Sequence, residues 1–305
     1  GNVTLKINAL VSKVLFSGKK AIGVEWIENN ENKKAYSNKE IILSSGSLQS
    51  PQILQLSGIG PAELLKKLNI PIVFDSPEVG KNLQDHYQVR GIVELNDNKG
   101  SVNNQSRNPL KIAEWGLRWL LFGSGPLTCG AGQVGGAACS KYSQNGRPDL
   151  QFNVMPLSVD KPGEPLHKYP GFTASVWQCH PKSRGSLNIK STDPREQAEI
   201  RPEYLSEKLD KDVIVEGIKM IRDIFNQPSF KKLWDKEVLP GKEIKTDKEI
   251  LDWARNNGGT VFKIFDPFKF FYCVFAIFNI RLIFIKLLLI IFVKTRNFIF
   301  CIIYV

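Results

Sequence analysis

The stretch "EIILSSGSLQSPQILQLSGIGP", residues 40–61, decides the architecture. Its first four residues are a short apolar run with little polar alternation, the pattern of a strand buried in a parallel sheet. A serine- and glycine-rich break follows at 44–47, and "SPQILQLSGIGP" then reads as a helix and a loop ending at Pro61. A buried strand that feeds directly into a helix is the repeating unit of an α/β layer.

The residues around it follow the same pattern. "VTLKINALVSKVLF" (3–16) and "AIGVEWIE" (21–28) read as strands around the turn "SGKK" (17–20). Val3, Leu5 and Ile7 alternate from the first residues onward, so the chain is expected to begin inside a strand, as a fragment does. Pro61 stands where a first helical residue would, ahead of Leu64, Leu65 and Leu68, with Asn69 closing the turn.

From about residue 87 the pattern shifts. "VRGIVEL" (89–95), "DLQFNVMPL" (149–157), "FTASVWQCH" (172–180) and "GSLNIKS" (185–191) read as strands, the last two joined as a hairpin through "PKSRG" (181–185). "LKIAEWGLRWLLF" (110–122) and "DKDVIVEGIKMIRDIF" (210–225) read as amphipathic helices, the second capped by Asp210 and carrying Val213, Gly217, Ile218, Ile221 and Phe225 on one face. In "TDKEILDWARNNGG" (246–259), Thr246 and Glu249 form a capping box and Gly258 takes the place of a helix stop. The expected fold class is an incomplete α/β part followed by an α+β part with a mostly antiparallel sheet.

Composition excludes several functions. The 305 residues carry a net charge of +11, but bases are interspersed with acids, so no nucleic-acid partner is expected. Five widely spaced cysteines without a CxxC pair argue against a disulfide framework and a zinc site, and for a reducing, cytoplasmic setting. Three histidines, His86, His167 and His180, lack metal-ligand spacing. GxGxxG occurs once, at Gly130, Gly132 and Gly135, but the turn-rich "FGSGPLTC" precedes it where a phosphate loop needs a buried strand. Those glycines are expected instead to let backbone approach something closely. No GxSxG elbow is present, so residue chemistry alone names no reaction.

Five blocks in order name a family. "SSGSLQSPQILQLSGIGP" (44–61), "VGKNLQDH" (79–86), "GPLTCGAGQVGG" (125–136), "HPKSRGSLNIKSTDP" (180–194) and "DWARNNGGTVF" (252–262) resemble the glucose-methanol-choline (GMC) family of flavin-dependent alcohol oxidoreductases, most closely its bacterial choline and alcohol dehydrogenase branch. The resemblance implies FAD as cofactor, a small-molecule alcohol as substrate and a separate electron acceptor. It divides the chain into a partial FAD-binding domain (1–86), a substrate-binding domain (87–241), and a helix and strand returning to the FAD domain (242–262). The family pattern implies that Val11 offers its backbone to adenine, that Ser45 and Gly46 face the cofactor, and that Asn82, Asp85 and His86 lie beside the flavin. Choline-oxidising relatives hold the trimethylammonium group with a carboxylate two residues after the block's histidine, where this chain has Gln88. They place an imidazole where it has Asn153. A pocket that lost its negative charge loses most of its attraction for a quaternary cation, so the resemblance implies a non-choline alcohol, with choline as the alternative.

After Phe262 the resemblance ends. The family continues into a His-Pro-x-Gly-Thr block whose histidine is the catalytic base. Here Lys263 takes that place, no histidine follows, and residues 263–305 are a non-homologous hydrophobic tail with no glycine. The expectation is a chain truncated at both ends, without the family's N-terminal phosphate loop and inactive by itself. Residues 270–293 are long enough to span a bilayer. Arg281 and Lys286 inside them cost roughly 2.5–3.5 kcal/mol each, against about 0.3–0.6 kcal/mol gained per Leu, Ile, Phe or Val. Contact with the inner face of the cytoplasmic membrane, or a non-catalytic membrane-anchored binding protein, follows as the alternative.

Overall fold

The computed structural model describes residues 4–97, 100–128, 130, 132–160 and 164–261, and the backbone of 294–295 and 298–301. The first elements are β1 (Leu10–Ser17), β2 (Lys20–Glu28), β3 (Glu31–Tyr36), β4 (Glu40–Leu43), α1 (Gly46–Leu56), β5 (Ile59–Gly60), α2 (Ala62–Lys67) and β6 (Phe74–Asp75). Next come β7 (Tyr87–Leu95), α3 (Val102–Gln105), α4 (Pro109–Phe122), β8 (Val134–Ala138), β9 (Leu150–Met155) and β10 (Gly171–Gln178). The remainder are β11 (Ser186–Asn188), β12 (Glu199–Arg201), α5 (Lys208–Phe225), α6 (Pro228–Lys231), β13 (Trp234–Leu239), α7 (Asp247–Asn257), β14 (Gly259–Thr260), β15 (Lys294–Thr295) and β16 (Phe298–Cys301). Of the described residues, those within 4–84 and 184–203, with 294–295 and 298–301, form one compact unit, and those within 85–183 and 204–261 form the other.

In the first unit, β1, β2 and β3 make an antiparallel sheet whose core holds Val11, Val14, Val24 and Trp26, closed by Ile53 of α1. The Val14 amide donates to Ser57 Oγ at 2.8 Å, tying the end of α1 to the outer edge of β1. β4 pairs in parallel with β16, so residues 298–301 of the tail expected to be foreign to the fold supply its neighbour. Leu5 and Ile7 are exposed and precede the first strand, which begins only at Leu10.

One side chain joins the pieces of this unit. Gln55 is fully buried; its Nε2 donates to Val79 O at 3.1 Å and Leu187 O at 3.3 Å, and its Oε1 accepts from the Ile189 amide at 2.9 Å. Two chain segments far apart in sequence, at Val79 and at Leu187–Ile189, thus satisfy backbone groups on one carboxamide of α1. Gly80 sits against it with φ +89°, and a Cβ there would lie 2.1 Å from Leu187 O.

The second unit is built on a sheet ordered β13-β7-β10-β9-β8, with β14 also on β7, and every pairing is antiparallel. Val89, Val93, Ala174, Val176, Leu150 and Phe152 pack against Val213, Ile214, Ile218 and Ile221 of α5 on one face. The expected stripe of α5 is therefore its core face. α4 forms with Asn108 as N-cap and Gly123 as left-handed C-cap, but only Trp115 is buried. The stretch 242–261, expected to return to the first part, stays with this sheet through β14.

The hairpin expected from 172–191 does not form. β10 pairs with β7 and β9, whereas β11 pairs with β12 in the first unit. The link is held open because buried Asp210 accepts the Lys182 amide (2.8 Å), the Ser183 amide (2.7 Å) and the Ser183 hydroxyl (2.6 Å). Asp210 therefore does not cap α5. Ser183 Oγ accepts the amides of Ser206 and Glu207, just ahead of the helix, at 3.1 and 3.2 Å. The Thr246–Glu249 capping box forms as expected, but Gly258 is extended rather than left-handed.

Replacing Gln55 by Ala leaves the Ile189 amide and two carbonyls buried without partners, which should lower unfolding stability by about 2–4 kcal/mol. Urea denaturation followed by circular dichroism tests this, and an unchanged midpoint would refute the central role of this carboxamide.

Candidate cofactor and substrate site

In the first unit the expected cofactor residues lie at strand edges and one strand–helix junction. Ser45 is buried at the N-cap of α1, and its Oγ has no hydrogen-bonding partner although water cannot reach it. Gly46 beside it has φ +82°, with nothing within 4 Å of where a Cβ would stand. A left-handed glycine facing open space, an orphaned hydroxyl and the unpaired first amides of a helix are what a bulky polar group needs for close approach. Val11 buries its side chain in the core, leaving only the backbone of edge strand β1 for outside contacts. Asn82 is left-handed, with φ +60°, and its Oδ1 accepts from Arg184 Nε at 3.0 Å. These residues fit a bound FAD in kind, by small size, backbone access and donor capacity.

In the second unit Asp85, His86 and Gln88 lead into and along β7. Asp85 accepts the Tyr204 hydroxyl and, at 2.9 Å, the His86 amide. The His86 ring donates from Nε2 to Cys179 O at 3.1 Å, which leaves Nδ1 as the nitrogen open to another group. Tyr87 and Tyr204 rings lie 4.9 Å apart, and the Tyr87 hydroxyl donates to Ala254 O at 2.7 Å. Tyr87 leaves no room for a side chain at Gly258, where a Cβ would lie 2.3 Å from the ring. Burial, reinforced by the hydrogen bond to Asp85, pushes the Tyr204 phenol well above its ordinary value, and burial also raises Tyr87.

β14 runs antiparallel to β7, with Gly259 opposite Gln88, Thr260 opposite Tyr87, and the Val261 amide 3.3 Å from His86 O. Lys263, at the place of the family base, lies outside the described residues, as does 270–293. Among the described residues no helix is long and apolar enough to cross a membrane, and no cluster of His, Cys, Asp or Glu could hold a metal.

Gln88 and Asn153 share the sheet face turned away from α5. Trp177 lies opposite Gln88, and Ser175 lies opposite both Arg90 and Asn153. The glycine-rich motif ends in strand β8 rather than a helix, so its phosphate-loop reading fails. Gly132 instead lies against Asn153, where a Cβ would come within 2.1 Å of Nδ2. Sequence reading missed Tyr204 and Arg90. Arg90 had a signal, two residues after Gln88 and so on the same face of one strand; Tyr204 had none, because 119 residues separate it from Asp85.

Family comparison matches the GMC oxidoreductase N-terminal model over residues 2–88 and the C-terminal model over 181–265, together more than half of the chain. The oxygen-dependent choline dehydrogenases of Klebsiella pneumoniae and Escherichia coli are each 34% identical over 272 residues, covering 86% of this chain and 47% of the relative. Formate oxidase of Aspergillus oryzae is similar in structure with a TM-score of 0.77 at 24% identity, over 83% of this chain and 49% of that one. An FAD-dependent oxidoreductase of Chaetomium thermophilum gives 0.70 at 27% identity, over 83% and 50%. The chain spans about half the length of the curated relatives it matches.

A phenol whose pKa rises on folding stabilises the protein below its unfolded value near 10, and that stability is lost as pH climbs through the higher folded value. Wild-type stability should accordingly fall above pH 10. Tyr204→Phe should flatten that decline and cost about 1–3 kcal/mol at pH 8 through the lost bond to Asp85. Denaturation midpoints from pH 7 to 11 measure both, and an equally steep alkaline decline in the variant would contradict this assignment.

Proposed function

The chain belongs to the family of GMC oxidoreductases, and from that premise we propose that it carries the substrate-binding part and some of the cofactor-binding part of an enzyme oxidising the CH–OH group of a small alcohol. FAD is the family's cofactor and, when bound, accepts the hydride released from the carbinol carbon. The observation that carries the reading is the junction at Ser45 and Gly46, where an unpaired buried hydroxyl adjoins a left-handed glycine facing open space. Asn82, braced by Arg184, and the backbone of Val11 are proposed as further contacts of the cofactor.

On the substrate side, Asp85 and Tyr204 hold the start of β7 in place, and the bond from Nε2 to Cys179 O orients His86 with Nδ1 towards a ligand. Lys263 stands where an imidazole would take the hydroxyl proton, so these 305 residues alone are proposed to bind weakly and not to turn over. A partner electron acceptor and a cytoplasmic location, with contact at the membrane face through 270–293, belong to the same proposal.

Choline is disfavoured because Gln88 is neutral. An opposite charge about 4 Å from a quaternary cation is worth about 4 kcal/mol at a protein surface, and none is available here. The likeness to choline dehydrogenases keeps choline as the second reading.

Titrating the purified chain with FAD tests the cofactor half. Weak, saturable binding is expected, and Gly46→Val should abolish it; unchanged binding in that variant would overturn the assignment of this junction. Anaerobic addition of alcohols should leave the flavin absorbance unbleached, and bleaching would show that a base other than the family imidazole operates.

A further inference from the structure

Gln88, Arg90 and Asn153 are polar side chains on one sheet face that have no hydrogen-bonding partner among the described residues. Arg90 lies opposite Ser175, Ser175 opposite Asn153, and Asn153 opposite Gly135, so they form one row across four strands. Gln88 stands one row along, beside Trp177. Their neighbours of opposite parity, Val89, Phe152 and Val176, are committed to the α5 core, so the row projects from the other face. Ser175 is already engaged, donating to Asn153 O at 3.0 Å. The remaining three side chains present the guanidinium fork and two carboxamides, a set rich in donors.

Arg90 is the unusual member. It is partly buried, and burial lowers its pKa, yet no carboxylate pairs with it. The next acid on its face of β7 is Glu94, four residues or about 13 Å along the strand, and Glu94 is taken by Lys236 at 3.0 Å. Asp85 has the opposite parity and is bound to Tyr204. A desolvated cation without a counter-charge is unfavourable unless a ligand supplies the charge.

We propose that Arg90 determines specificity on this face and that the alcohol received here carries a carboxylate. Arg90 takes the carboxylate as a bidentate pair, while Gln88 and Asn153 hydrogen-bond the rest of the molecule. Gly132 is needed without a side chain so that the Asn153 carboxamide keeps its place. This deepens the function proposed above and rests on it, because that reading makes this face the substrate surface. It also gives the neutral Gln88 a reason, since a carboxylate at that position would repel such a substrate.

The test uses three probes of one length: 4-hydroxybutyrate, 1,4-butanediol and 4-amino-1-butanol. Their affinities for the full chain, with FAD present, are read by saturation-transfer NMR. The acid should bind roughly tenfold or more tighter than the diol, the amine weakest, and added salt should weaken the acid alone. Arg90→Gln should bring acid and diol to equal affinity, and Arg90→Lys should keep part of the difference. Equal affinities of acid and diol for the wild type, or no binding of any probe, would overturn the proposal, as would an acid preference that survives in a natively folded Arg90→Gln protein. If that variant does not fold, the wild-type comparison decides. FAD binding that depends on Gly46, with no acid preference, sinks this inference alone. An acid preference without FAD binding sinks the cofactor assignment and leaves Arg90 its role.

Discussion

Buried backbone must find hydrogen-bonding partners, and in this protein one carboxylate meets that demand at the point where the chain leaves its larger sheet. Asp210 takes two successive amides and a hydroxyl from Lys182 and Ser183. Ser183 then passes the constraint on by accepting the amides of Ser206 and Glu207, the two residues that lead into α5. α5 is the helix that covers the sheet core, so its starting point and the exit of β10 are set together. Gln55 plays the corresponding part in the smaller unit with a neutral side chain. In both places a single polar group, fully enclosed, replaces the ladder that regular secondary structure would have supplied.

The antiparallel sheet then separates two kinds of surface. Alternation along β7, β9 and β10 sends Val, Ala, Leu and Phe to α5 and sends Gln88, Arg90, Asn153, Ser175 and Trp177 to the opposite side. A slip of one residue in any strand would exchange these sets, so the hydrophobic core holds the polar face in register. At the end of β4 the core leaves two small residues, Ser45 with an unpaired hydroxyl and Gly46 facing open space. The features suited to ligands are therefore those that the core leaves over: an orphaned hydroxyl, an open glycine and an unpaired guanidinium.

Much of this was legible in the residues. The strand–helix unit at 40–61, the stripe of α5 and the capping box at Thr246 rest on local periodicity and local hydrogen bonds, which a linear text displays. The hairpin expected across 181–185 failed because its turn-like composition serves a crossing, and the residue that holds the crossing, Asp210, lies well outside that stretch. Gly258 does end α7, as its position suggested, and it also leaves room for the Tyr87 ring, which no local pattern displays. Of the glycines expected to allow close approach, Gly132 does so, against Asn153 of β9, whereas nothing stands within 4 Å of a Cβ at Gly130.

By itself the amino-acid order determined the two kinds of layer, most element positions, the family, and the residue types at the expected cofactor and substrate positions. Tertiary structure alone decided which of these side chains meet and which are left without partners. Tyr204 reaches Asp85, Gln55 gathers two distant segments, and Arg90 and Asn153 stand on either side of Ser175. The reason is that periodicity is a property of neighbours along the chain, whereas satisfying a buried charge or amide is a property of neighbours in space.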